Sequence, residues 1–99
     1  MSFYVYILKC ADGSYYTGHT DNIKLRLAQH HQGEISGYTT SRRPLVLVYI
    51  DSFPSRDEAF SAERQIKGWT RRKKEALIDR DWERLKALSR GGHPSTGSG

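Results

Sequence analysis

A short aromatic hairpin constrains this chain more than any other stretch. Phe3 to Lys9 and Tyr15 to His19 are rich in residues that fit a pleated surface. Between them, Ala11-Asp12-Gly13-Ser14 carries the residues of a tight turn. The first run is apolar on both faces, which suits the central strand of a sheet. Loop length then decides which side chains share a face. A two-residue loop at Asp12-Gly13 pairs positions whose numbers sum to an odd value, and it sends Tyr6 and Tyr16 to opposite sides. A three-residue loop, Ala11-Asp12-Gly13 with Gly13 left-handed in a bulge, gives an even sum and puts both tyrosines on one face. The three-residue form is expected here.

The next elements follow from capping and periodicity. Thr20-Asp21-Asn22 offers N-caps for a helix over about 22–32, and Gly33 ends it. Ile23, Leu27 and His30 recur at helical spacing, with Leu25 widening the apolar side. Arg26 and His30 lie four apart, on one helix face. A polar loop over 33–43 leads to Pro44 and a third strand, Leu45 to Ile50, again apolar on both faces. Ser55 with Glu58 forms a capping-box pattern for a second helix, whose buried side is drawn from Ala59, Phe60, Ala62, Ile66 and Trp69. Glu63 falls at or near that side. Gly68 breaks the helix. Thr70 caps a third, basic helix reaching about Ile78, and Asp81 begins a last one carrying Trp82, Leu85 and Leu88. The fold class expected is α+β: a small three-stranded, mostly antiparallel sheet flanked by helices. One domain is expected over 1–88, with a disordered Gly-, Ser- and Pro-rich tail over 89–99.

Composition narrows the function. The chain has 99 residues, a formal charge of +5 and one cysteine, Cys10. That excludes an internal disulfide framework and a Cys-rich zinc site, and it suits a reducing cytoplasm. No run of residues is long and apolar enough for a membrane span, and the first residues lack the basic start and apolar stretch of a signal peptide. A cytoplasmic, soluble protein without a membrane partner is expected. The cations cluster: Arg42-Arg43 in the polar loop, and Arg71-Arg72-Lys73-Lys74 beside Lys67. Such clusters can neutralise backbone phosphates and release counterions, or can simply solvate a helix face.

Five residues carry chemistry. Glu63, a carboxylate near an apolar helix face, needs a cation: a hard divalent ion, or a neighbour such as Arg64 or Lys67. Tyr6 and Tyr16 can relay a proton or serve as ordinary strand tyrosines. Arg26 can clamp a phosphate through its planar fork or be a plain surface arginine on its helix, and His30 can orient water, contact phosphate or be a solvent-exposed imidazole. His19 and His31 are weaker candidates. No ligand pair has zinc-motif spacing, and no phosphate loop or nucleophile elbow is present.

Taken together, these residues resemble the GIY-YIG nuclease superfamily, and in particular its short, stand-alone bacterial members. Tyr4-Val5-Tyr6 stands at the first triplet and Tyr16-Thr17-Gly18 at the second. Arg26, His30 and Glu63 fall at the family's arginine, histidine and metal-binding glutamate. Tyr4 replaces the first glycine and Thr17 the central isoleucine, neither a catalytic position. Many relatives also carry an asparagine after the glutamate helix, whereas the only asparagine here is Asn22. The resemblance implies a metal-dependent endonuclease acting on nucleic acid, with DNA, including branched or damaged forms, as the expected substrate and DNA repair as the setting. It implies one Mg²⁺ or Mn²⁺ on Glu63, Tyr6 activating water beside Tyr16, Arg26 on the phosphate and His30 assisting. Two alternatives stay open: a non-catalytic nucleic-acid-binding module, and a nuclease subunit whose protein partner supplies specificity.

Overall fold

In the computed structural model, which describes residues 2–34 and 39–91, the hairpin forms in the even register. Strand β1 (Phe3–Lys9) pairs antiparallel with β2 (Tyr15–Thr20), Tyr6 opposite Gly18 and Leu8 opposite Tyr16. Gly13 has φ 87°, the left-handed conformation that the bulged turn demands. The turn is closed by Gly13 N–H to the Cys10 carbonyl at 2.9 Å and Cys10 N–H to the Ser14 carbonyl at 2.8 Å. Asp12 caps it from the side, accepting from Ser14 N–H and Oγ.

Strand β3 (Val46–Phe53) pairs antiparallel with the other edge of β1, so the sheet order is β2-β1-β3. All three strands are antiparallel. The register slips by one residue between Ile7, opposite Tyr49, and Leu8, opposite Leu47. Val48 is the extra residue. Because of this bulge Leu47 and Ile50, three apart, pair with Leu8 and Tyr6 on the same sheet face. The apolar run over 45–50 serves both faces: Tyr49, opposite Ile7, is buried, and Leu47, opposite Leu8, packs on the core of the other face, while Val46 is exposed.

Helix α1 (Ile23–His31) is capped by Asn22, whose side chain accepts from Leu25 N–H, and is closed by Gly33 N–H to His30 and Glu34 N–H to Gln29. Ile23 and Leu27 pack on a core of Tyr6, Leu8, Cys10 and Leu45, with Tyr16 and Leu47 beside them. Leu25 points to solvent instead of widening that face. After a short 3-10 turn, Thr40–Arg42, and β3, helix α2 (Arg56–Lys67) starts at the expected box: Glu58 N–H to Ser55 Oγ at 3.2 Å, Ser55 Oγ to Glu58 Oε2 at 3.0 Å. Its buried positions are Ala59, Glu63 and Ile66, spaced i, i+4, i+7. Phe60, expected on that side, lies one residue's rotation away from Ala59 and is 45% exposed.

Contacts divide the chain into two compact units, Met1–Lys67 and Gly68–Gly99. The break falls at Gly68, the glycine expected to end the second helix, inside the span expected to be one domain. In the second unit, α3 (Arg71–Ile78) is capped by Thr70 Oγ1 accepting from Lys73 N–H, and α4 (Trp82–Gly91) by Asp81 accepting from Arg84 N–H. Trp82, at the start of this last helix, is exposed. Helix α4 runs through Ser89 to Gly91, where the disordered tail was expected to begin; the rest of that tail, 92–99, lies outside the described residues, as does 35–38 of the polar loop.

Candidate active site

The even register brings Tyr6 and Tyr16 to one face with ring centroids 6.4 Å apart. Tyr6 is almost fully buried, at 1% exposure. Its ring lies over Gly18, directly across the hairpin. A Cβ built on Gly18 would meet Tyr6 Oη at 2.6 Å and Tyr16 Cε2 at 3.1 Å. The glycine is therefore a steric requirement of the tyrosine pair, not only a strand ornament.

Helix α1 delivers His30 from behind. Tyr6 Oη is 3.0 Å from His30 Nε2, and His30 Nδ1 is 3.0 Å from Thr39 Oγ1. The imidazole also stands edge-on to Tyr16, centroids 5.3 Å apart. All three members of this chain (Tyr6, His30, Thr39) are buried. Burial, then the Arg26 and His31 charges, hold His30 below its ordinary value, so it is neutral at pH 7. Burial, then Tyr16, raise the Tyr6 phenol, Glu63 adds to the rise, and Arg26 opposes it. A protonated phenol donates to a neutral Nε2, which leaves the imidazole proton on Nδ1 for Thr39 Oγ1.

In front of Tyr6 lies an open pocket of about 300 Å³ lined by Tyr6, Tyr16, Gly18, Arg26, Phe60 and Glu63, with His19 to Asp21 and Arg56 completing the wall. Glu63 reaches it from α2 and is 6% exposed. Its Oε2 receives Lys67 Nζ at 2.6 Å, and its Oε1 meets His19 Nδ1. The hydrogen bond to Glu63 raises the Lys67 ammonium above its usual value. His19 also packs on the Phe60 ring, centroids 5.4 Å apart. Four of the five expected catalytic residues thus line one pocket, and the fifth, His30, supports Tyr6 from within.

His19 is the residue that sequence reasoning undervalued. Its partner is 44 positions away, and only its place beside the Gly18 gap marks it. Thr39 was not singled out either. Among the described residues no three His, Cys, Asp or Glu groups gather as a metal cluster. Glu63 is the buried carboxylate of this polar, open pocket, and Asp21 on its wall is paired with Arg56; such a site fits an ion such as Mg²⁺, which fills its shell with water and phosphate oxygens, and does not fit a closed zinc centre.

The remaining cations are placed differently. Arg42 Nε pairs with Asp12 Oδ2 at 3.1 Å, and the Arg42 carbonyl accepts from Ala11 N–H, so this arginine fastens the loop to the hairpin tip. Arg43 donates to the Thr40 carbonyl at 3.1 Å and the His31 carbonyl at 3.4 Å, tying the same loop to the end of α1. Both were expected to meet phosphate, and both have partners within the protein. In the second unit, Arg71 pairs with Glu75 at 3.1 Å and Lys73 lies 4.5 Å from the Trp69 ring centroid. Arg72 is exposed and Lys74 half-buried on the same helix.

A hairpin with paired phenols, a supporting imidazole, an arginine and a buried glutamate thus meet around one pocket. The family model described as the GIY-YIG catalytic domain matches residues 2–76, and the chain belongs to that family, whose domain implies a nucleic-acid substrate. A UPF0213 protein of Staphylococcus haemolyticus is 47% identical over 76 residues, covering 77% of this chain and 93% of that one. A UPF0213 protein of Bacillus pumilus is 45% identical, covering 77% and 78%. The solution structure of a UPF0213 protein from Bacillus halodurans aligns with a TM-score of 0.55 and 42% identity, covering 90% of this chain and 98% of that chain. These relatives are bacterial. No described helix is long and apolar enough to cross a membrane.

Proposed function

We propose that this chain is an endonuclease that hydrolyses phosphodiester bonds in DNA with the help of one divalent ion, Mg²⁺ or Mn²⁺. The observation that carries the reading is the Tyr6–His30 bond placed at the back of a pocket whose wall holds Arg26 and Glu63. Glu63 would hold the ion, which when bound supplies Lewis-acid stabilisation of charge on the scissile phosphate. Arg26 binds and orients the phosphate through its guanidinium fork.

Tyr6 need never become a phenolate, which its raised pKa disfavours. Its oxygen takes a proton from the attacking water while its own proton passes to His30 Nε2. The water becomes hydroxide, the phenol stays neutral, and the imidazole becomes imidazolium. The depressed pKa of His30 keeps it free to accept. Thr39 accepts from Nδ1 and so fixes the tautomer with its lone pair toward Tyr6. Proton transfer by a positioned group contributes about 10²- to 10⁴-fold in rate.

The test uses purified protein with end-labelled branched and duplex DNA, first in Mn²⁺ and then in EDTA. Nicking in Mn²⁺ that EDTA abolishes supports the reading, and faster nicking of branched forms extends it to a role in repair. Binding without cleavage in both conditions would favour the binding-module alternative. Cleavage that starts only on adding a protein fraction would favour the partner-dependent subunit.

A further inference from the structure

We propose that Lys67 is the internal stand-in for the divalent ion: its ammonium holds Glu63 until the ion displaces it. The inference rests on the reading of Glu63 as the metal-binding residue. A carboxylate at 6% exposure is too costly to leave bare. Both of its oxygens are taken, Oε2 by Lys67 at 2.6 Å and Oε1 by His19. An ion that binds Oε2 must share it with an ammonium already in contact, and two cations on one oxygen repel.

The structure decides which partner yields. Glu63 is fixed on the buried stripe of α2, between Ala59 and Ile66. His19 is held on the adjacent strand and packs on the Phe60 ring. The Lys67 side chain is half-exposed, at 50%, and ends on four methylenes, so its head can swing into water with little further desolvation. Being one helical turn from Glu63, it returns when the ion leaves. The pairing keeps the carboxylate aimed into the pocket without metal, and it lowers metal affinity by the strength of the bond that must break.

The experiment measures Mn²⁺ binding without nucleic acid, from the free-ion EPR signal and by calorimetry, alongside thermal melting. Wild type is compared with Lys67→Met, Lys67→Gln and Lys67→Arg, with Glu63→Gln marking loss of the site. Lys67→Met should bind Mn²⁺ about three- to tenfold more tightly, in line with removal of one charge-assisted pair. Lys67→Gln, which keeps a hydrogen bond and so keeps the fold, should tighten binding too. Lys67→Arg, still a cation, should not. Metal-free Lys67→Met should melt lower than wild type, and Mn²⁺ should recover the loss. A residue that only supported the structure would lower melting and affinity together. Wild type that binds Mn²⁺ through Glu63 while both neutral variants bind it equally or more weakly would overturn the inference. Wild type that binds no Mn²⁺ would overturn the reading of Glu63, and the inference with it.

Discussion

Replacing Gly18 with alanine puts the tyrosine pair under direct steric test. The new Cβ would lie 2.6 Å from Tyr6 Oη and 2.8 Å from Tyr6 Cζ, where ordinary contact begins near 3.4 Å. Something must move by roughly 0.8 Å at the hydroxyl. Tyr6 is buried and bonded to His30 at 3.0 Å, so a shift of its ring acts directly on that bond. A displacement of that size directed away from His30 takes the bond beyond hydrogen-bonding range. Overpacking of this kind costs about 1–3 kcal/mol. For a chain of this length, each kcal/mol lowers the melting temperature by about 4–8 °C. The assay is paired thermal melting and single-turnover cleavage of Gly18→Ala, repeated in a Tyr6→Phe background. Removing the hydroxyl deletes the shortest contact, so the alanine should cost less stability in the Tyr6→Phe protein than in wild type. Melting within about 2 °C of wild type, together with undiminished cleavage, would refute the reasoning.

Tyr6→Phe and His30→Gln should each slow cleavage by about 10²-fold or more, and the double variant should be little slower than either, because in the proposed mechanism the two residues pass one proton. Single-turnover rates check this; multiplicative losses would separate the two roles. The lowered pKa of His30 means that the unfolded state binds the extra proton first, so its contribution to stability is full above about pH 6.5 and is lost as pH falls through the depressed folded value. Melting of wild type should therefore drop more steeply below that pH than melting of His30→Gln. Neutralising Arg71 and Arg72 should weaken DNA binding for all sequences alike and flatten the salt dependence by about one unit per lost phosphate contact. Identical salt slopes would assign these arginines to helix solvation and the Glu75 pair.

What the sequence made legible was local chemistry. Gly13 in a three-residue loop determined the strand register, and the register alone placed Tyr6, Tyr16 and Gly18 together. The Asn22, Ser55–Glu58 and Thr70 caps marked where helices begin, because each uses bonds within three residues. Helical spacing put Arg26 and His30 on one face. What stayed hidden depends on contacts far apart in the chain. His19 acquires its importance from Glu63, and Arg42 is engaged by Asp12, 30 positions away. The β3 bulge left no mark in the sequence, since a strand apolar on both faces reads the same with or without one inserted residue. Phe60 was misplaced because a single residue's rotation, about 100° at 3.6 residues per turn, separates the buried stripe from the pocket rim.

In the proposed mechanism Glu63 is the residue on which metal and chemistry both depend. The most direct measurement is therefore cleavage and binding by Glu63→Gln, side by side, on one labelled DNA in Mn²⁺. The substitution keeps the shape of the side chain and removes its charge. We expect cleavage to disappear while affinity, set mainly by phosphate contacts elsewhere, stays close to wild type. Nicking by Glu63→Gln at the wild-type rate would contradict the account.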